Sequence, residues 1–190
     1  VGGSLVQVGS GTLTLSGANT FSGGVSINSG KVRVGNASAL GTGPLTMTGG
    51  VLSSSSATAY TLTNGYSIGG AVTLGDVTNT GALTLSGSIS GGTFSLSKAG
   101  AGFLVLGGAN SFSGGVTMSA GTIRVGDDAA LGSGAFVMSA GTFTSASTAE
   151  RVIANDFSFG GALSIGAAAT FNGGLTFGGN GTLKSNTTLN

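Results

Sequence analysis

Shifted by 91 residues, this 190-residue chain falls onto itself. The string from Gly11 to Val25 overlies that from Gly102 to Val116. It carries Gly-Ala-Asn-x-Phe-Ser-Gly-Gly in register at Gly17–Gly24 and Gly108–Gly115. The match runs without a gap through Gly30/Gly121, Arg33/Arg124, Leu40/Leu131, Gly43/Gly134 and Met47/Met138, and half of positions 11–52 are identical. It holds more weakly at Asn64/Asn155 and Gly75/Gly166. The expectation is one continuous segment, residues 1–190, made of two copies of a 91-residue unit at about 9–99 and 100–190. Self-similarity at long period points to repeat architectures, in which neighbouring units bury one another's apolar faces.

A finer rhythm runs inside each copy. Apolar residues come as pairs at i and i+2, bracketed by Gly, Ser, Thr or Asn: Leu13/Leu15, Val25/Ile27, Val32/Val34, Leu45/Met47, Val72/Leu74, Leu83/Leu85, Phe94/Leu96 and Leu104/Leu106. The second copy continues with Val116/Met118, Ile123/Val125, Phe136/Met138, Leu163/Ile165 and Leu175/Phe177. Period two is the strand signature, and no stretch holds helical spacing, so the chain reads as all-β. Hairpins would need tight turns between successive strands, yet Asn64-Gly65 and Asn180-Gly181 do not recur that way. A parallel β-helix (β-solenoid) fits better, with similar strands recurring every 19–22 residues or so, as from Leu13 to Val32. About nine coils at ~4.8 Å each would make a rod roughly 45 Å long.

Composition removes whole classes of function. Forty glycines look at first like low complexity, but 39% hydrophobic residues with only 6% charged is no disordered linker. Cysteine and histidine are absent, so no thiolate or imidazole ligand set and no Ser-His-Asp triad can form. A net charge of +1 supplies no field for nucleic acid. No apolar run approaches the roughly 20 residues that span a bilayer. The expectation is therefore no catalytic residue, no cofactor and no metal. Val1-Gly2-Gly3 opens neither a basic nor an apolar leader, and neither end reads as a cap. The chain is expected to be a piece of a mature protein that continues into further repeats or meets another copy end to end.

The string Gly11 to Gly24, followed by Gly30-Lys31-Val32-Arg33-Val34-Gly35, resembles the autotransporter-associated β-strand repeat, as does the second copy from Gly100 to Gly126 with Ala129-Ala130-Leu131-Gly132. Such repeats belong to passenger regions of bacterial type V secreted proteins. The resemblance implies a right-handed β-helix outside the cell, on the bacterial surface or secreted. The sharp motif covers about a third of the chain. No series of barrel strands lies within these residues, and the expectation is a stalk and not a whole secreted protein.

Several residues invite sharper readings. Asp127-Asp128 is the only adjacent carboxylate pair and could serve calcium or the acid/base chemistry of a β-helix polysaccharide enzyme. Its counterpart Asn36-Ala37 carries neither charge, which suits a solvated turn. Asp76 and Asp156 do not correspond under the repeat and are expected at corners. Gly100-Ala101-Gly102 and Gly41-Thr42-Gly43 start a phosphate-binding fingerprint, but no helix follows to complete it. Lys31 and Arg33 alternate with Val32 and Val34, as Thr122 and Arg124 do with Ile123 and Val125. Their polar set is expected to face outward, as solubilising charge or as a glycan-binding stripe. Asn19 and Asn110, each two residues before Phe21 and Phe112, read as corner residues that tolerate left-handed backbone or bond nearby main chain. Ser53-Ser54-Ser55-Ser56 reads as an irregular corner.

The expected function is a non-enzymatic structural stalk supporting adhesion or presentation. Its expected partners are neighbouring repeats or copies of itself, and glycans or proteins of host or bacterial surfaces. A filament subunit stacking end to end is the first alternative, and a carbohydrate-active enzyme using Asp127 and Asp128 the second.

Overall fold

Alternating apolar and hydroxyl side chains place residues i and i+2 on one face of a strand. In a computed structural model, which describes residues 2–78, 80–166 and 173–189, those pairs turn into a common interior. The described residues form 23 short strands and no helix.

Each coil visits three faces in a fixed order. In the first coil β1 (Leu5–Gln7) lies on the first face and β2 (Thr12–Leu15) on the second, and residues 16–24 cross the third without a strand. The second coil repeats this with β3 (Val25–Ile27), β4 (Lys31–Val34) and residues 35–44. Coils three to five carry strands on all three faces. They are β5 (Leu45–Met47), β6 (Val51–Ser54) and β7 (Tyr60–Leu62), then β8 (Tyr66–Ile68), β9 (Val72–Leu74) and β10 (Leu83–Leu85). The fifth has β11 (Ile89–Gly91), β12 (Leu96–Lys98) and β13 (Phe103–Leu106). In coils six and seven the strandless stretch, residues 107–115 and 126–135, falls on the first face. Those coils contribute β14 (Val116–Met118) with β15 (Thr122–Val125), and β16 (Phe136–Met138) with β17 (Gly141–Ser145). The last two coils are β18 (Arg151–Ile153), β19 (Phe157–Phe159) and β20 (Ala162–Ile165), then β21 (Leu175–Phe177), β22 (Gly181–Leu183) and β23 (Thr188–Leu189).

The second face is a nine-stranded parallel sheet from β2 to β22, eight turns from end to end. The third face holds seven strands from β7 to β23. The first face has five strands from β1 to β11 and resumes as the β18–β21 pair. The chain is thus an all-β parallel solenoid.

Register stacks like side chain on like side chain. One interior column of the second face runs Leu13, Val32, Leu52, Leu74, Lys98, Met118, Met138, Phe159 and Leu183. Most of these are fully buried, which is what offsets the conformational entropy lost by so many glycines. In the second unit Phe136, Phe143 and Phe159 stand where the first has Leu45, Leu52 and Ile68. Their rings pack with centroids 4.8 Å apart for Phe136–Phe143 and 5.8 Å for Phe136–Phe159.

Three details differ from the sequence reading. Register steps range beyond 19–22 residues: Tyr66 to Ile89 is a step of 23, and Val72 to Leu96 one of 24. The extra residues widen a corner, as in 75–82, and leave the strands in register. Phe94 is 40% exposed, and the interior pair of β12 is Leu96 with Lys98. Ser53 and Ser54 complete β6, where the Ser54 hydroxyl donates to the carbonyls of Ser56 and Thr58 and pins the turn that follows.

Phe143 is fully buried and packs between the Phe136 and Phe177 rings. Phe143→Ala is expected to destabilise the rod by about 3–5 kcal/mol, measured as a lowered urea midpoint. An unchanged midpoint would mean that the ring is not part of the cooperative core.

Candidate functional site

The repeated motif builds the strandless corners, and its residues act between coils. The Asn19 amide donates to the carbonyl of Ala39, one coil on, at 2.7 Å. Asn64 reaches back to the same corner from the other side, donating to the carbonyls of Gly43 at 2.7 Å and Gly41 at 3.2 Å. The second unit reproduces the arrangement. Asn110 donates to Ala130 O at 2.5 Å, and Asn155 donates to Gly134 O at 2.6 Å and Gly132 O at 2.9 Å. Asn110 Oδ1 also accepts the Ile89 N–H at 2.7 Å. Each corner is therefore gripped by one asparagine from the coil before and one from the coil after. Neither Asn19 nor Asn110 has left-handed backbone; of the two sequence-based reasons for asparagine, only main-chain bonding operates.

Phenylalanine and glycine complete the corner. Phe112 is fully buried and Phe21 partly so, while Ala39, Leu40, Ala130 and Leu131 close the interior beside them. Gly41 and Gly132 have φ of +67° and +66°, and a Cβ at either would run into the carbonyl of Phe21 or Phe112 one coil earlier. These glycines permit both the turn and the close approach of coils. Gly100 also takes positive φ and stacks on the Asp76 carbonyl, so the glycine pairs once compared with a phosphate loop are corners.

The carboxylate pair is divided between two main-chain tasks. Asp127 Oδ1 accepts the Ala129 N–H at 2.8 Å, just as Asn36 Oδ1 accepts that of Ser38 at 2.9 Å. Both cap the same turn. Asp128 Oδ1 accepts the Val152 N–H at 3.2 Å and lies 3.9 Å from Arg151 Nη1. Asp128, Ser133, Val152 and Asn155 line an open groove of about 330 Å³ beside this corner. Asp156 caps another corner by accepting the Asn180 N–H at 2.7 Å. No group of three or more potential metal ligands occurs among the described residues.

Lys31 and Arg33 are not a free outward stripe. The wide corner after β9 folds back over the second face and sets Asp76 Oδ2 2.6 Å from Lys31 Nζ and 2.8 Å from Arg33 Nη2. The Asp76 side chain is 1% exposed, and its Oδ1 accepts the Thr78 N–H and hydroxyl. Burial works against its charge, but hydrogen bonds from Lys31, Arg33 and Thr78 outweigh that and hold its carboxyl well below the usual range. The second unit has Ala167 at the position of Asp76, outside the described residues. Its Arg124 instead lies over the Phe103 ring, 4.6 Å from the centroid. The sequence puts Lys31 and Arg33 on the outward face and Asp76 at a corner but does not show the clasp, because Asp76 sits 43 residues from Arg33 and has no charged counterpart.

Equivalent residues do not share a face. β1 and β2 lie on the first and second faces, whereas their counterparts 91 residues on, β12 and β13, lie on the second and third. One unit therefore advances four coils and one further face, and Arg33 and Arg124 point from different sides of the rod.

The sequence model of the passenger-associated-transport-repeat family matches the chain twice, over residues 5–34 and 96–125. These spans are β1–β4 and β12–β15, and they overlap the two segments on which the resemblance to autotransporter passenger repeats rests. No curated protein and no solved structure matches the chain.

Asn110→Ala leaves the Ile89 N–H and Ala130 carbonyl unpaired in the interior and is expected to cost about 1–3 kcal/mol, read by urea unfolding; a neutral effect would contradict the grip. Because the Asp76 pKa is depressed in the fold, its contribution is complete above the unfolded value near 3.9 and fades as pH falls below it. Asp76→Asn is expected to lower the urea midpoint at pH 7 and to converge on the parent protein in acid. Parallel midpoints at all pH values would remove the clasp from the account.

Proposed function

We propose that residues 1–190 form one continuous stretch of a rigid stalk in a bacterial secreted or cell-surface, autotransporter-like protein, and that the stalk holds another part of that protein away from the surface. The observation that carries this reading is the use made of the repeated residues. Asn19, Asn64, Asn110, Asn155, Phe112 and the corner glycines all face neighbouring coils. What recurs from unit to unit is the means of stacking. Recurrent binding side chains would be expected on one common face, whereas Arg33 and Arg124 lie on different ones. The passenger-repeat matches support a secreted or cell-surface setting.

The filament reading rests on an apolar groove lined by Phe157, Phe159, Leu175, Phe177 and Leu183 in the last two coils. Electron microscopy of the purified segment tests both. Discrete rods on the order of 45 Å, from about nine coils at ~4.8 Å, are expected for a stalk segment. Concentration-dependent fibres of uniform width would favour end-to-end assembly. The enzymatic reading is tested with Asp127→Asn/Asp128→Asn on a polysaccharide panel. Hydrolysis or lyase activity that disappears in the double variant would replace the stalk proposal.

A further inference from the structure

Among the described residues Lys98 is the one charged side chain in the interior columns, 1% exposed between Leu74 and Met118. Its Nζ donates to three main-chain carbonyls: Gly100 at 2.7 Å, Ala99 at 2.9 Å and Ala120 at 3.3 Å. Ala120 belongs to the next coil, so the ammonium ties coils five and six together. No carboxylate lies within salt-bridge distance of it among the described residues. The counterpart of Lys98 is Gln7, whose amide donates to Gly9 O and Gly11 O at the equivalent corner. One unit thus closes this corner with a neutral donor and the other with a charged one. The charged version sits where the units meet, in the coil that contains β11, the last strand of the five-stranded first sheet.

We propose that Lys98 makes this join a proton-sensitive seam, in which the ammonium bridges the coils at the cost of a charge buried in an apolar column, and loss of its proton tightens the seam. A neutral amine still offers two hydrogens to the carbonyls, while the desolvation penalty disappears. The groups facing Lys98 leave burial as the governing influence. β9 contributes Leu74, β14 contributes Met118, and residues 99–102 and 119–121 carry no ionisable side chain. The Asp76 carboxylate is engaged outside by Lys31 and Arg33, and the Tyr66 hydroxyl donates to Leu62 O. Burial pushes the Lys98 ammonium down to about 8. Since the folded value lies below the unfolded one, the unfolded chain holds more protons between roughly pH 8 and 10.4, and stability rises with pH across that window.

The test is urea unfolding of the segment and its Lys98→Gln and Lys98→Met variants from pH 7 to 9.5. That range stays below the titration of Tyr66, whose burial acts in the opposite sense by raising its pKa. The unfolding constant of the parent should fall with pH, by up to about tenfold per unit for one linked proton, and both variants should lose that slope. Lys98→Gln should remain folded, because Gln7 already does the same work. An NMR titration of the Lys98 ε-methylene in the parent protein gives a reading independent of any variant. A midpoint near 8 is expected; a midpoint at or above 10, or a slope that survives in Lys98→Gln, overturns the proposal.

Discussion

Main-chain hydrogen bonding between successive coils sets the terms for everything else in this rod. Strands stack at ~4.8 Å only if every corner lets the next coil come equally close. A corner has no ladder of its own, so its carbonyls must find donors elsewhere or lose hydrogen bonds in a partly dry place. The asparagines at 19, 64, 110 and 155 are those donors. Glycine supplies the approach: at Gly41 and Gly132 any side chain would meet the carbonyl of the coil before. Apolar pairs then fill the interior because the corners have already fixed their spacing.

The scarcity of charge follows from the same constraint. Inward positions lie in continuous columns, and outward ones stack on their own kind at the coil spacing, so like charges at one register position would repel coil after coil. The few charges present are therefore used locally. Lys31 and Arg33 converge on Asp76, Arg124 lies over an aromatic ring, and Lys98 turns its head into a ring of carbonyls.

Much of this was legible in the sequence, for stated reasons. Pairs at i and i+2 require strands, and the spacing of Leu13 to Val32 or Val25 to Leu45 is the coil itself. The equivalence of Asp127 with Asn36 foretold a shared turn, which both cap. What escaped has a common cause: contacts made across coils leave no local trace. Lys98 reads as polar, so the pair of β12 was drawn one step early, as Phe94 with Leu96. Asn64 and Asn155 aligned under the repeat but gave no hint that they reach back to Gly43 and Gly134. The clasp at Asp76 depends on one residue of a lengthened corner, and the counterpart of that residue in the second unit is Ala167. Self-comparison measures the period of the chain and is silent on how many faces that period spans.

That last quantity has a geometric consequence. A unit that ends one face further round than it began winds its strandless corners about the rod like a screw thread with three starts' worth of phase. In a rod built of such units the same corner returns to the same side only every third unit. That interval is thirteen coils, on the order of 60 Å at ~4.8 Å per coil. A flat neighbour lying alongside would meet the thread at widely spaced points, while a bend in any direction would find the same mixture of sheet and corner. A rod of three or more such units would have no preferred plane of weakness.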